Sequence, residues 1–182
     1  LIIAICNGFQ ILVKAGILPG VNKSLEQEAT LFHNDSAQFE ARWIHLFRGT
    51  DKCVWTKDMP ASLYLPVAHG EGKFIPKNAA LLKTLKENGQ IVFSYCTAEG
   101  GKPVYPQNPN GSTDDVAGIC DPTGRILGLM PHPERHFLFE HHPSWTRLRQ
   151  DASAHGSGGQ ARLGDGAKIF ENGVLFAKKH LM

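Results

Sequence analysis

The chain opens on Leu1-Ile2-Ile3-Ala4-Ile5-Cys6-Asn7-Gly8, an unbroken apolar run that ends in a cysteine, an asparagine and a glycine. A continuous apolar run bounded by a turn signal is typical of a strand buried on both faces of a parallel sheet. Residues 9–15 then have helical composition, and Gly16 marks their end. A strand, a sharp turn and a helix in direct succession predict an α/β fold with a mostly parallel central sheet flanked by helices.

The position of this strand at the start of the sequence predicts missing neighbours. A strand buried on both faces needs a partner on each side, yet the first residue, Leu1, already belongs to the apolar run and is not a methionine. We therefore expect a domain that is incomplete at its N-terminus and lacks the first strands of its sheet.

Composition limits the classes of protein that the chain can belong to. With 182 residues, 42% of them hydrophobic and 20% charged, the chain suits one globular domain spanning residues 1–182. The formal net charge of +2 and the lack of a basic block argue against a nucleic-acid interface. Four scattered cysteines without a Cys-x-x-Cys pair argue against a zinc ribbon and a disulfide framework, and they favour a reducing cytoplasm. The apolar opening is too short to cross a membrane.

Local signals further along the chain predict individual elements. Residues 78–88 form an amphipathic helical pattern with Asn78 as its N-cap. Residues 116–120 and 126–130 flank the turn sequence Asp121-Pro122-Thr123-Gly124 and predict a hairpin. The Gly- and Ser-rich residues 153–166 predict a mobile loop. Further strands are expected within 39–47, 63–68 and 91–95, and a C-terminal helical stripe within 165–181.

Cys6 is a candidate nucleophile because it lies where the strand turns into the helix. A side chain at such a turn is held clear of the sheet, and the following helix N-terminus lowers the pKa of its thiol. The N–H of Asn7 can stabilise an oxyanion, and Gly8 lets the backbone turn without a Cβ clash. The alternative is that Cys6 is a small apolar residue at the end of a core strand.

His132 and Glu134 are candidates for the base and the group that orients it. They lie two residues apart in Pro131-His132-Pro133-Glu134, directly after an apolar strand, and an extended chain directs both side chains to the same side. A rigid proline turn with a surface histidine and glutamate is the alternative. Four histidines lie within eleven positions and also suggest a metal site: His132, His136, His141 and His142. The intervening prolines keep them off one helix face, so we expect no metal site here.

Several motifs together resemble a known family. Ile5-Cys6-Asn7-Gly8-Phe9-Gln10 resembles the nucleophile turn of the class I, or triad, glutamine amidotransferases, and 131–135 resembles their His-x-Glu signature. Within that class, three further segments are similar to the glutaminase family of phosphoribosylformylglycinamidine synthases: Phe39-Glu40-Ala41-Arg42, Ala68-His69-Gly70-Glu71-Gly72 and Asn108-Pro109-Asn110-Gly111-Ser112.

The resemblance implies a flavodoxin-like fold and a role for each matching residue. Cys6 would attack the side-chain amide of glutamine, His132 would protonate the departing ammonia, and Glu134 would orient His132. A γ-glutamyl thioester would follow and be hydrolysed to glutamate. The residues implied in substrate binding are Asn7, Gln10, Gly70, Glu71 and Gly72.

The resemblance also implies a partner. Ammonia would pass to a synthetase subunit or domain that converts formylglycinamide ribonucleotide to formylglycinamidine ribonucleotide in purine biosynthesis. ATP and Mg²⁺ would bind to that synthetase, since no segment of this chain resembles an ATP site; no cofactor, nucleic-acid partner or membrane partner is expected here. Two other functions stay open on the residues alone: another elbow-cysteine hydrolase of similar fold, and a catalytically silent docking module.

Overall fold

Strands and helices both contribute to the fold. The computed structural model describes residues 1–22, 24–153 and 162–180. In chain order the elements are β1 Ile2–Ile5, α1 Asn7–Lys14, β2 Ala29–His33, β3 Glu40–Arg48, β4 Ser62–His69, β5 Glu71–Pro76, α2 Ala79–Glu87, β6 Ile91–Cys96, β7 Val116–Cys120, β8 Ile126–Leu129, α3 Trp145–Ser153 and α4 Ala167–His180. The α/β class predicted from the sequence is confirmed.

The central sheet is mixed, so the prediction of a mostly parallel sheet is wrong. It has six strands in the order β1-β8-β7-β6-β3-β4. Only β1 and β8 run parallel, and every other neighbouring pair is antiparallel. A tight turn accounts for one of these pairs, because β7 and β8 are joined by five residues and must run in opposite directions.

Within the described residues β1 pairs with β8 alone, and its side chains are not buried on both faces. Ala4 is buried, but 43% of the surface of Ile2 is exposed. An apolar run predicts that a segment forms a strand, but it does not predict which strands lie beside it in the sheet.

Three elements were not expected from the sequence. β2 and β5 pair antiparallel in a separate two-stranded sheet, and one residue, Gly70, separates β5 from β4. The third is α3, which follows Pro143. Their sequences are short or polar, so their apolar periodicity is weak.

Two predicted local features are confirmed. The side chain of Asn78 caps α2 by accepting a hydrogen bond from the Leu81 N–H at 2.8 Å. The carboxylate of Asp121 accepts hydrogen bonds from the backbone N–H groups of Thr123, Arg125 and Ile126, which closes the turn between β7 and β8. Apolar side chains form a core on each face of the sheet.

The predicted mobile loop at 153–166 falls largely on residues 154–161, which lie outside the described residues. At its far end, Gly164 and Gly166 donate backbone hydrogen bonds to Phe137 and His136, and the Asp165 carboxylate accepts from the N–H of Tyr64. Across 1–22, 24–153 and 162–180, the longest helices are too short and too polar to span a bilayer.

Candidate active site

The candidate residues come together because β1 and β8 are parallel neighbours. Ile5 pairs with Leu129, so Cys6 and the segment that begins at Met130 leave the sheet at the same edge. The carboxyl ends of neighbouring parallel strands are a recurrent place for functional groups in α/β sheets. Residues more than 120 positions apart in sequence, Cys6 and His132, thereby line one cavity.

The backbone at Cys6 has an unusual conformation. Its φ is 51° and its ψ is −108°, and a residue with a side chain rarely adopts a positive φ. The hydrogen bonds from Cys6 N to Leu129 O (2.8 Å) and from Gln10 N to Cys6 O (3.1 Å) hold this turn in place. The predicted role of Gly8 is therefore wrong: the strained position is the cysteine itself, and Gly8 is an ordinary residue of α1 with room for a Cβ.

The thiol of Cys6 is half-buried, and burial raises its pKa above the ordinary value. The N–H of Asn7 and the guanidinium of Arg135 lower that pKa, and Glu134 raises it further, but desolvation is the largest effect. The N–H of Asn7 lowers the pKa as expected of a helix N-terminus, but burial outweighs it, so the expectation that the net pKa of Cys6 falls is wrong. The sulfur's recorded hydrogen bond goes to the carbonyl of Ala68 at 3.9 Å.

His132 is placed to accept a proton. Its Nδ1 lies 2.6 Å from Oε1 of Glu134, and a carboxylate can only accept, so Nδ1 carries the proton and Nε2 has the lone pair. The side chain is 7% exposed, and its Nε2 has no protein partner among the described residues. The backbone is fixed by a 2.8 Å bond from His132 N to Pro66 O.

The curl of the sheet supplies the remaining wall of the cavity. Within the described residues β1 and β4 are the edge strands of the six-stranded sheet, and Cys6 after β1 and His132 after β8 both contact β4, at Ala68 and Pro66. The cavity has a volume of about 540 Å³. It is lined by Ile5, Cys6, Asn7, Gln10, Phe39, Ala68, His69, Gly70, Glu71, His132 and Arg135.

The residues implied in substrate binding do not all line the cavity. Asn7, Gln10, Gly70 and Glu71 line the cavity, whereas Gly72 is buried beside it. Gln10 Nε2 donates to the carbonyl of Glu71 at 3.0 Å and so fastens this segment to α1. The carbonyls of Gly70 and Gly72 also accept protein hydrogen bonds.

Sequence reasoning missed two charged or titratable residues in the cavity. His69 lies within the segment 68–72 and Arg135 directly follows Glu134. The sequence around each residue therefore already indicated a functional segment. Arg135 is 52% exposed, and its Nε lies 3.7 Å from Oε1 of Glu134. His69 is 4% exposed, and burial together with the charge of His132 lowers its pKa to about 4.

The described residues contain no cluster of three or more His, Cys, Asp or Glu side chains suited to a metal ion. Instead, His136 and His142 pack with Trp43, with ring centroids 5.1–5.7 Å apart. A separate cavity of about 400 Å³ lies between α4 and residues 51–58, and none of the predicted site residues lines it.

The model of the CobB/CobQ-like glutamine amidotransferase domain family matches residues 1–177. The chain belongs to this family. Relatives named phosphoribosylformylglycinamidine synthase subunit PurQ include one from Methanococcus maripaludis, 40% identical over 98% of this chain, and one from Dehalococcoides mccartyi, 43% identical over 98%. The amidotransferase domain described here spans 66% and 64% of their lengths.

A solved structure agrees with this assignment. The structure of PurLQS from Thermotoga maritima matches 97% of this amidotransferase domain with a TM-score of 0.65 and 26% identity, and the match covers 61% of that chain. The sequence match thus shows the family, and the fold is similar to that of this solved structure.

Proposed function

We propose that this amidotransferase domain hydrolyses glutamine to glutamate and ammonia through a cysteine thioester, with Cys6, His132 and Glu134 as a catalytic triad. One observation carries the proposal: the strained turn bearing Cys6 and the His132–Glu134 pair follow two parallel neighbouring strands and meet at one cavity. This is the arrangement that an activated cysteine nucleophile requires, with a base and a third group that orients the base.

In this proposal each group has a step. His132 Nε2 takes the Cys6 proton, because burial keeps the thiol protonated at neutral pH and a thiolate is the nucleophile. The sulfur attacks the carboxamide carbon, and the N–H of Asn7 stabilises the oxygen of the tetrahedral species. His132, held by Glu134, gives the proton to the departing ammonia. Water that His132 deprotonates then cleaves the thioester and releases glutamate.

We further propose that the ammonia is passed to a synthetase that forms formylglycinamidine ribonucleotide in purine biosynthesis. The names of the relatives from Methanococcus and Dehalococcoides and the PurLQS structure support this assignment. ATP and Mg²⁺ would bind to the synthetase, and the complex would act in the cytoplasm.

A covalent label tests the nucleophile. A diazoketone analogue of glutamine should alkylate Cys6 in the wild-type protein, and Cys6→Ser should abolish the labelling. Cys96→Ser is the matched control, because Cys96 is 3% exposed and lies outside the cavity; it should keep the label. Labelling that survives Cys6→Ser would contradict the assignment of the nucleophile.

Turnover in complex with the synthetase tests the base. His132→Ala should abolish glutamine-dependent product formation while free ammonia still supports it. Failure of ammonia to rescue would show that His132 has another role. Activity on aldehydes or peptides in place of glutamine would instead favour another elbow-cysteine hydrolase, and a wild-type protein without label or activity would favour a silent docking module.

A further inference from the structure

Two buried imidazoles line the cavity, and each has an Nε2 without a hydrogen-bond partner among the described residues. They belong to His132 and His69, which are 7% and 4% exposed. A buried polar atom that lacks a partner is costly. The proposed function uses Nε2 of His132 as the base, but it gives no role to Nε2 of His69.

The tautomer of His69 follows from its neighbour Asn34. The amide nitrogen of Asn34 donates to the carbonyls of Gln38 and His69, both at 2.8 Å. This orientation directs the amide oxygen of Asn34 toward Nδ1 of His69, at 3.1 Å. An amide oxygen only accepts, so Nδ1 carries the proton and Nε2 of His69 is an acceptor.

The charge of His69 limits what it can do. Burial, and the positive charge that His132 has when it is protonated, lower the pKa of His69 to about 4, although the carboxylate of Glu40 opposes this effect. The ring is therefore neutral near pH 7, and it does not repel the imidazolium that His132 forms during turnover. A neutral ring with a protonated Nδ1 cannot donate through Nε2, which excludes His69 as a second acid.

We propose that Nε2 of His69 accepts a hydrogen bond from an N–H group of the bound substrate; this inference rests on the proposed glutaminase function. His69 lines the same cavity as Cys6 and His132, and it directly follows Ala68, whose carbonyl lies 3.9 Å from the Cys6 sulfur. Glutamine offers two N–H sources, its side-chain carboxamide and its α-ammonium group. His69 is thus a substrate-binding residue that selects for N–H donors.

Three substrates test the proposal in the protein assembled with its synthetase. Glutamine has both donors, glutamate γ-methyl ester lacks the carboxamide N–H, and glutaramate lacks the α-ammonium group. His69→Phe keeps a ring and removes the acceptor, and should lower kcat/KM for glutamine by roughly tenfold or more. If the carboxamide is the donor, His69→Phe should not lower kcat/KM for the ester. If the α-ammonium is the donor, His69→Phe should not lower kcat/KM for glutaramate.

Two further variants make the test specific. His69→Gln supplies an acceptor oxygen and should recover part of the activity on glutamine. His45→Phe is the matched control, because His45 packs against Tyr64 outside the cavity; it should change kcat/KM equally for all three substrates.

An equal loss on all three substrates in His69→Phe would overturn the proposal and leave His69 with a structural role. That result differs from failure of the proposed function, in which the wild-type protein itself would not hydrolyse glutamine.

Discussion

At the scale of single residues, two unfavourable free energies act at Cys6, and contacts with neighbouring residues limit both. A positive φ at a non-glycine residue costs of the order of 1–3 kcal/mol and persists only where surrounding contacts impose it. Here those contacts are the backbone bonds to Leu129 and Gln10. The second cost is the desolvation of the thiolate, which the N–H of Asn7 and the charge of Arg135 reduce but do not cancel.

The raised pKa of Cys6 predicts the pH dependence of its alkylation. Only the thiolate reacts, and because burial raises the pKa of this thiol above its ordinary value, most of the thiol stays protonated at pH 8. The rate with iodoacetamide should therefore rise from pH 7 to beyond pH 9 without reaching a plateau. Arg135→Gln should slow the reaction at each pH, because it removes a positive charge that lowers this pKa.

Mass spectrometry of the modified peptide measures this rate directly. Cys6→Ser gives the background from the buried thiols Cys53, Cys96 and Cys120. A plateau below pH 8 would show that desolvation does not dominate at Cys6.

At the scale of elements, the packing of α1 on β8 sets the position of the nucleophile. A Cβ at Gly128 would lie 2.2 Å from the ring of Phe9 and 2.7 Å from Leu18, so α1 approaches β8 closely only because position 128 lacks a side chain. Since α1 begins directly after Cys6 and β8 leads to His132, this contact also fixes the distance between the two candidate groups.

Two glycine substitutions should therefore have opposite outcomes. Gly128→Ala should lower the free energy of unfolding by about 1–3 kcal/mol, the usual cost of overpacking a core. Gly8→Ala should be neutral or slightly stabilising, because its Cβ would meet only Ala4 at 3.4 Å and alanine favours a helix. Urea denaturation measures both, and a Gly8→Ala variant less stable than Gly128→Ala would contradict this description of the turn.

Sequence patterns predicted elements well where the signal was local. The Asn78 cap and the turn around Asp121 depend on side chains that bond to backbone groups within five residues. β2 and β5 have no such signal, because the apolar residues of a short strand are set by the neighbour against which it packs.

At the scale of the whole molecule, α4 packs away from the cavity and contributes to stability. Asn172, which is 8% exposed, donates hydrogen bonds to the carbonyls of Trp55 and Lys57 at 3.1 and 2.8 Å. A Cβ at Gly173 would meet the ring of Trp55 at 2.2 Å, so the helix backbone lies directly against the indole. None of these residues lines the candidate active site.

We therefore expect a substitution at Asn172 to lower the stability of the protein without changing its activity. Asn172→Leu leaves two carbonyls without their donor, and should lower the free energy of unfolding by about 2 kcal/mol or more. Its kcat and KM for glutamine, corrected for the folded fraction, should match those of the wild-type protein. Val174→Ala, at a position 53% exposed, is the control and should change stability by no more than about 0.5 kcal/mol. A large change in KM in Asn172→Leu would show that α4 is coupled to the site.

The sequence by itself determined what depends on residues close together in the chain: the strand–turn–helix at Cys6, the capped helix, the hairpin, and the spacing that lets His132 bond to Glu134. Only the tertiary structure decided the mixed strand order, the raised pKa of Cys6 and the inclusion of His69 in the cavity. The physical reason is that strand pairing and desolvation arise from contacts between distant residues, such as the approach of Ala68 to Cys6 across 62 positions.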